Sequence, residues 1–239
     1  MSGYENLNLC ELLKNNAYPG RGVVVGTTAD GKHAVAAYFI MGRSANSRNR
    51  VFKRLPDGTV ITAPFDESRV EDPSLIIYNA VRPLDNRLIV TNGDQTDTIY
   101  DGLRAGRSFS EALESRCFEP DAPNYTPRIS ALLTFGERFA YQMSILKSAD
   151  AQGTACARYT FDYPSLPGAG HFLHTYRCDG SPIPTFEGEP ERVTVGNDLD
   201  AFAEEVWESL NEANKISLYV RFTSLQGGAV REKIINKNI

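Results

Sequence analysis

The chain has 239 residues and a formal charge of −5, from 25 basic and 30 acidic side chains. That length can bury a core without disulfides, and 41% hydrophobic with 23% charged residues is ordinary globular composition, which excludes a disordered or fibrous chain. The acidic balance gives no general attraction to nucleic acid or to an anionic membrane, and no apolar run approaches the ~20 residues of a membrane span. We expect one domain over residues 1–239, which meets anions only locally.

Leucines at helical spacing in residues 4–16, followed by Pro19 and Gly20, predict a short helix within an N-terminal extension, 1–17, ahead of the main domain, 18–239. Two β-rich runs then flank an Asp-Gly turn at 29–32, which is typical of a hairpin. Further strands are predicted at 51–53, 60–63, 74–81 and 87–91.

Residues 98–117 are helical in composition but interrupted by Gly102 and Gly106, so we expect two segments. Ser108 and Glu111 have the spacing of a capping box at the start of the second. Beyond them the pattern predicts a hairpin (129–134 and 139–147), strands at 155–163 and 172–176, an amphipathic helix at 198–214, and a final hairpin (217–225 and 229–235).

Hairpins without a regular βαβ alternation favour an α+β fold. The number of strands suggests two mainly antiparallel sheets packed together, with helices on the outer faces, which makes four layers. The N-terminus lacks the basic start and apolar run of a secretory signal, so we expect a cytoplasmic protein.

The cysteines and histidines do not indicate a metal site. Cys10, Cys117, Cys156 and Cys178 lie far apart without a CxxC pair, which favours unpaired thiols. His171 and His174 are three residues apart in a predicted strand, so they should point to opposite faces; structural hydrogen bonding and ligand contact both stay open for them.

The segment 42–54, GRSANSRNRVFKR, holds five basic residues and no acidic one. Arginines supply paired donors for phosphate, and the small residues leave backbone N–H groups available. The spacing is unlike a Walker A motif. A local anion site and a solvated basic loop are the main interpretations, and a nucleic-acid patch is disfavoured because the chain is acidic and no aromatic residues interleave with the arginines.

Three further segments can carry chemistry. Tyr78 closes an apolar run and could turn its hydroxyl into a cleft, and the turn 91–98 leads from a strand into a helix, where backbone N–H groups can meet an anion. In 118–129, FEPDAPNYTPRI, three prolines stiffen a loop that carries Glu119 and Arg128, which lowers the entropy cost of holding them in place.

Taken in order, GRSANSRNR (42–50), DPSLIIYNA (72–80), TNGDQTDTI (91–99) and FEPDAPNYTPRIS (118–130) resemble the archaeal-type IMP cyclohydrolase family. The later PGAGHFLHTY and PTFEGEP are similar to its bacterial branch. The resemblance implies an Ntn-hydrolase-like fold with four αββα layers and no metal or cofactor. The implied reaction is the dehydrative closure of 5-formamidoimidazole-4-carboxamide ribonucleotide (FAICAR) to IMP.

By the same resemblance, the catalytic positions are Arg50, Tyr78 and Glu119. Arg50 would hold the 5′-phosphate or the developing oxyanion, and the other two would transfer protons, without an assignment of acid and base. The matched motifs also place six residues as substrate contacts: Arg43, Asn79, Asn92, Gly93, Thr96 and Arg128.

The expected partner is a small purine ribonucleotide, not nucleic acid or a membrane, and a homo-oligomer is left open. Two rival functions are weighed. A non-catalytic nucleotide-binding module could keep the pocket without turnover. An amidohydrolase of the same fold would need an N-terminal Cys, Ser or Thr, and Cys10 follows a helical segment instead of an obvious processing site.

Overall fold

The computed structural model describes residues 4–70, 73 and 76–239. Within them, antiparallel strands build two sheets, of six and seven strands. Strands and helices are numbered in chain order. The six-stranded sheet contains, in spatial order, β11 (Glu191–Thr194), β10 (Ala169–His174), β1 (Arg21–Thr27), β2 (His33–Met41), β12 (Lys215–Ser224) and β13 (Val230–Asn236).

The seven-stranded sheet follows chain order from edge to edge, because each strand turns back beside the previous one. It contains β3 (Arg50–Arg54), β4 (Val60–Pro64), β5 (Asn79–Leu84), β6 (Arg87–Thr91), β7 (Arg128–Thr134), β8 (Ala140–Ser148) and β9 (Cys156–Pro164). The helices are α1 (Leu9–Lys14), α2 (Ala45–Arg48), α3 (Gln95–Arg104), α4 (Phe109–Leu113) and α5 (Leu199–Ser209), with a 3₁₀ turn at Glu67–Arg69. No helix in the described part of the chain is long and apolar enough to cross a membrane.

The two sheets share one hydrophobic core. Val23 and Val25 of β1 pack into it with Val90 and Ile129 of the other sheet, while Val24, between the two valines, faces the opposite way. Both faces of β1 are therefore covered, and every one of its residues is buried.

Each sheet packs helices on its other face. α1 and α5 contribute to the cluster on the outer face of the six-stranded sheet, and α3 and α4 to the cluster on the outer face of the seven-stranded sheet. The α+β class with two antiparallel sheets is thus confirmed. Residues between the sheets and residues under the helices form two separate environments.

The hairpins were predicted most accurately. β1–β2, β7–β8 and β12–β13 lie within two residues of their predicted bounds, and Ser108 and Glu111 form the predicted capping box. Of the predicted strand 74–81, Ser74 and Leu75 lie outside the described residues, and the observed strand begins only at Asn79. The amphipathic helix ends at Ser209, five residues early, and the short β11 and α2 were not predicted.

Candidate active site

Arg21 is the charged residue that begins the buried strand β1. Gly20 before it has φ +78°, and a Cβ there would lie 2.2 Å from Thr175 Oγ1 and 2.5 Å from the Tyr176 ring. A glycine at this position therefore lets the chain pass close to Tyr176 while Arg21 N–H donates to Thr175 Oγ1 at 3.1 Å. The Arg21 side chain enters the space between the sheets, where its Nε–H is buried and has no hydrogen-bond partner among the described residues.

Glu119 lies opposite Arg21, on the loop between α4 and β7. Arg21 Nη2 donates to Glu119 Oε1 at 2.6 Å, and both side chains are about nine-tenths buried or more. The loop holds its shape through its own bonds: Glu119 N–H donates to the Thr126 carbonyl at 2.9 Å, and Thr126 N–H donates to Asp121 Oδ1 at 2.6 Å. Separating an ion pair this buried would leave unpaired charges away from water, which is energetically costly. The two side chains are therefore held firmly in position.

Two tyrosines from different sheets meet beside this ion pair. The hydroxyls of Tyr38 (β2) and Tyr78 (just before β5) are 2.7 Å apart, and both residues belong to the shared core. Thr62 of β4 fixes Tyr78, because its Oγ1 accepts from Tyr78 N–H at 2.9 Å while its own N–H donates to the Tyr78 carbonyl. Burial raises the pKa of both hydroxyls, so both stay protonated at neutral pH.

Arg50, the first residue of β3, is among the largest fully enclosed side chains, with 2% of its surface exposed. Its Nε–H donates to the Ser47 carbonyl at 2.8 Å, so helix α2 orients the guanidinium. Asn49 anchors the end of α2 by exchanging hydrogen bonds with the Asp66 backbone, at 2.7 and 2.8 Å. No carboxylate forms an ion pair with Arg50 among the described residues. Its charge is therefore available to an anionic ligand.

Electrostatics link these groups into one site. The positive charges of Arg50 and Arg21 oppose the burial-driven rise in the pKa of Tyr78, and Glu119 adds to that rise. Burial lowers the pKa of Arg21, but Glu119 together with the neighbouring tyrosines outweighs burial and raises that pKa well above its ordinary value. Tyr176 lies in the same field and accepts or donates a 2.5 Å bond with Thr126 Oγ1. We call this set the inter-sheet cluster: Arg21, Tyr38, Arg50, Tyr78, Glu119 and Tyr176.

Four of the predicted substrate contacts lie in a second group, at the start of α3. Arg128 Nη1 donates to Asp94 Oδ1 at 2.6 Å and to Gln95 Oε1 at 2.9 Å, and Arg116 pairs with the same Asp94 oxygen at 2.5 Å. A Cβ on Gly93 would come within 2.5 Å of Arg128 Nη1, so a larger residue there would displace that guanidinium. We call this set the α3 turn cluster: Asn92, Gly93, Asp94, Gln95, Thr96, Arg116 and Arg128.

The side chains of the α3 turn cluster bind mainly to one another and to nearby backbone. Asn92 Oδ1 accepts from Ile129 N–H at 2.8 Å, and its Nδ2 donates to the Pro127 carbonyl at 2.8 Å. Thr96 Oγ1 is 2.6 Å from Thr91 Oγ1. Ile129 points into the shared core, so its neighbour Arg128 points to the α3 side of the sheet. The structure therefore does not bring these four residues to the inter-sheet cluster.

Asn79 and Arg43 also lie apart from it. Asn79 follows Tyr78 and points the other way, where its Nδ2 donates to Asp97 Oδ1 of α3 at 2.8 Å. Arg43 lies at the margin: it pairs with Asp179 at 2.6 Å, and its guanidinium is 5.1 Å from the Tyr18 ring, which stacks on Tyr176. Of the six predicted contacts, Arg43 is thus the one linked through aromatic contacts to the inter-sheet cluster.

Sequence reasoning missed Arg21, Tyr38 and Tyr176 as site residues. Arg21 and Tyr38 each interrupt an otherwise apolar strand, at the start of RGVVVGT and in HAVAAYFIM. A charged or hydroxyl-bearing residue in a strand buried on both faces needs a polar partner, and that was the available signal. Which partner it meets depends on the second sheet.

The histidines and cysteines do not build a metal centre. As predicted, His171 and His174 point to opposite faces: His171 Nδ1 is 2.7 Å from Tyr141 Oη, whereas His174 stacks on Phe172. Burial and Arg192 lower the pKa of His171 to about 4. The four cysteines are free thiols. In the part of the chain that the structure describes, no three His, Cys, Asp or Glu side chains are grouped to hold a metal ion.

The chain is an α+β protein with two antiparallel sheets and a buried group of arginine, glutamate and tyrosine side chains between them, and comparison with known proteins gives its family. Residues 18–228 match the family model described as IMP cyclohydrolase-like protein. The chain therefore belongs to the IMP cyclohydrolase-like family. The prediction of its bacterial branch stays a prediction.

Curated relatives carry the name IMP cyclohydrolase. The protein of Methanopyrus kandleri is 32% identical over 185 residues, which cover 71% of this chain and 89% of that protein. The protein of Methanococcus aeolicus is 32% identical over 165 residues, covering 67% and 75%. The protein of Methanocaldococcus jannaschii is 36% identical over 121 residues, covering 50% and 58%.

Proposed function

We propose that this chain is an IMP cyclohydrolase and that it closes the purine ring of FAICAR at the inter-sheet cluster. The family match and the named relatives support the activity. The observation that supports the location is the buried Arg21–Glu119 ion pair at 2.6 Å, beside the Tyr38–Tyr78 pair and the carboxylate-free Arg50.

The ring closure requires few catalytic tasks of the enzyme. The carboxamide nitrogen of FAICAR attacks its own formyl carbon, a carbinolamine forms, and water leaves to give IMP. Because the attack is intramolecular, the enzyme does not have to gather two substrates. It has to turn the two groups toward each other, accept an amide proton, and stabilise and protonate the departing oxygen.

Glu119 suits the role of proton acceptor. Arg21 donates to one of its carboxylate oxygens, Oε1, which leaves Oε2 to accept the amide proton. The unpartnered Arg21 Nε–H is a further donor inside the same space.

Tyr78 suits the role of proton donor. Its raised pKa keeps the hydroxyl protonated, and when Tyr38 donates to Tyr78 Oη, the Tyr78 proton is free for the formyl oxygen. Arg50, oriented by the Ser47 carbonyl, then holds the 5′-phosphate or the oxyanion of the carbinolamine. Arg43, at the margin beside Tyr18, is placed to meet the outer part of the nucleotide.

The finer predictions about the fold belong to this proposal. Two sheets with a shared core and helices on the outer faces support a four-layer αββα sandwich of the Ntn-hydrolase-like type. We also propose a single domain with an N-terminal helical extension outside residues 18–228. A cytoplasmic location stays a prediction.

The amidohydrolase alternative is disfavoured by Cys10. This cysteine lies within α1, half-buried, and burial raises the pKa of its thiol, which reduces the thiolate that would act as nucleophile. Its helix packs on the outer face of the six-stranded sheet, and the inter-sheet cluster lies on the other face.

The test is direct. Purified protein is mixed with FAICAR, and IMP formation is followed by absorbance, with FAICAR binding measured in parallel by calorimetry. IMP formation at an enzymatic rate supports the proposal. Tight binding without IMP would instead support the non-catalytic nucleotide-binding module, and neither binding nor product would reject both.

A further inference from the structure

The edges of the two sheets differ in how they are protected. In the described part of the chain, β11 pairs at Val193 with Leu7 of the N-terminal segment. β3 exchanges backbone-to-side-chain bonds with β13, between Phe52 and Asn236, at 2.8 and 3.1 Å. β13 itself carries three consecutive charged residues, 231–233, of the kind that discourages strand addition.

Among the described residues, β9 has none of these protections. It pairs with β8 over nine residues without a register shift, and it contains no lysine, no bulge and no proline before its last residue. Arg158, Tyr159, Thr160 and Asp162 are exposed along it. A long, regular, uncovered edge is a template for pairing with another strand.

The direction of the unpaired backbone groups follows from the β8–β9 hairpin. Ala149 N–H donates to the Ala155 carbonyl at 2.9 Å, in the same register as the strand pairs that follow. Hydrogen-bonded and non-hydrogen-bonded pairs alternate in an antiparallel ladder. The odd-numbered residues of β9 therefore bond to β8, and the backbone N–H and C=O groups of Arg158, Thr160 and Asp162 point outward.

We propose that β9 is a dimerisation surface on which a second copy of this chain adds its own β9, antiparallel, about a two-fold axis at Thr160. This pairing joins two seven-stranded sheets into one. Thr160 exchanges both outward hydrogen bonds with the partner's Thr160, and Arg158 exchanges both with the partner's Asp162.

The side chains of β9 are complementary to themselves in this register. Arg158 lies across from the partner's Asp162 on one face, so opposite charges pair twice. Tyr159 lies across from the partner's Phe161 on the other face, in the non-hydrogen-bonded position where cross-strand side chains approach most closely. Arg158 is already held in place, because its Nη2 donates to the Arg116 carbonyl at 2.7 Å.

Neighbouring registers lack this match. An axis at Tyr159 would set Arg158 across from Thr160, and an axis at Phe161 would set it across from Pro164, which has no N–H to donate. The axis at Thr160 is thus favoured by charge, with Pro164 across from the partner's Cys156 at the very end of the paired strands, and the surface fits a second copy of the chain.

The experiment measures oligomeric state by sedimentation velocity over a range of protein concentrations. The wild type is expected to form a dimer. Thr160→Pro removes an outward N–H at the axis without removing a bond to β8, so the dimer dissociation constant should rise about tenfold or more. Thr160→Val keeps the N–H and is the matched control, expected to stay dimeric.

A charge exchange tests the register without proline. Asp162→Arg should weaken the dimer by setting two arginines across from each other, and adding Arg158→Asp should restore it. Circular dichroism checks that each variant is folded; if Thr160→Pro does not fold, the charge exchange decides. A wild type that stays monomeric, or an oligomer unaffected by Thr160→Pro and Asp162→Arg, would overturn the proposal.

Discussion

The inter-sheet cluster and the α3 turn cluster both combine arginine with carboxylate, yet they use their hydrogen-bonding capacity differently. In the α3 turn cluster Asp94 lies between two arginines, and Arg128 divides its bonds between Asp94 and Gln95. In the inter-sheet cluster Arg50 has no carboxylate partner among the described residues, and the Arg21 Nε–H is buried without an acceptor.

This is the difference expected between polar groups that stabilise a fold and polar groups that bind a ligand. A polar network that satisfies itself stabilises the fold and gains little from a ligand. A buried group without a partner costs stability in the free protein and gains the full interaction when a ligand supplies the missing atom. This supports the proposal that the anionic nucleotide binds at the inter-sheet cluster.

The largest expected effect is that of Glu119→Gln. The amide keeps the size of the side chain but loses the base, so kcat should fall by about 10²- to 10⁴-fold while KM changes much less. Steady-state kinetics of IMP formation measure both. Glu137→Gln, the same change on an exposed turn, is the control and should leave kcat unaltered. A Glu119→Gln enzyme with normal kcat would remove Glu119 from the proposed chemistry.

The second effect concerns the free charge of Arg50. Arg50→Ala should raise KM by roughly 10- to 100-fold, because one charge-assisted contact to the phosphate is lost. Direct binding of IMP by calorimetry gives an independent value. Arg138→Ala, on the exposed β7–β8 turn, serves as the matched control. If IMP binds Arg50→Ala and wild type equally, the anion is held elsewhere.

The third prediction, for the α3 turn cluster, is an effect on stability without an effect on substrate binding. Arg128→Ala should lower the free energy of unfolding by about 1–2 kcal/mol, because Gln95 Oε1 and Asp94 each lose a donor. Since the side chain points away from the inter-sheet cluster, kcat/KM should change less than about threefold. Urea unfolding and steady-state kinetics on one preparation provide the comparison. A large rise in KM with unchanged stability would restore Arg128 as a substrate contact.

The smallest effect is a pH dependence of stability. Burial tends to raise the pKa of Asp94, but Arg116 and Arg128 outweigh it and hold the pKa below its ordinary 3.8. A carboxylate whose folded pKa is lowered stabilises the protein above the unfolded value and loses that contribution as pH falls below 3.8. Asp94→Asn should therefore flatten the decline in unfolding temperature that the wild type shows as the pH falls below 3.8. An unaltered decline would show that Asp94 does not contribute.

Much of the local structure could be predicted from the sequence. Asp-Gly and Gly-Gly turns between β-rich runs fix hairpins, and Ser108 with Glu111 fixes a helix start, because these signals act over a few residues. The least accurate prediction is the strand at 74–81. An apolar run there looked like a strand, but Tyr78 adjoins the β4 strand through Thr62 before regular pairing begins at Asn79.

The candidate site also has features that the sequence predicts and features that depend on tertiary packing. The sequence by itself determined the family and the alternation that sends Tyr78 and Asn79 to opposite faces, and it predicted Arg50, Tyr78 and Glu119 as site residues, since these depend on motifs and on the period of a strand. Only the tertiary structure decided that Arg21 pairs with Glu119, and that Tyr38 meets Tyr78. Those partners are 98 and 40 residues apart and come together only when one sheet packs on the other. Strand periodicity says which way a side chain faces, but not what it faces.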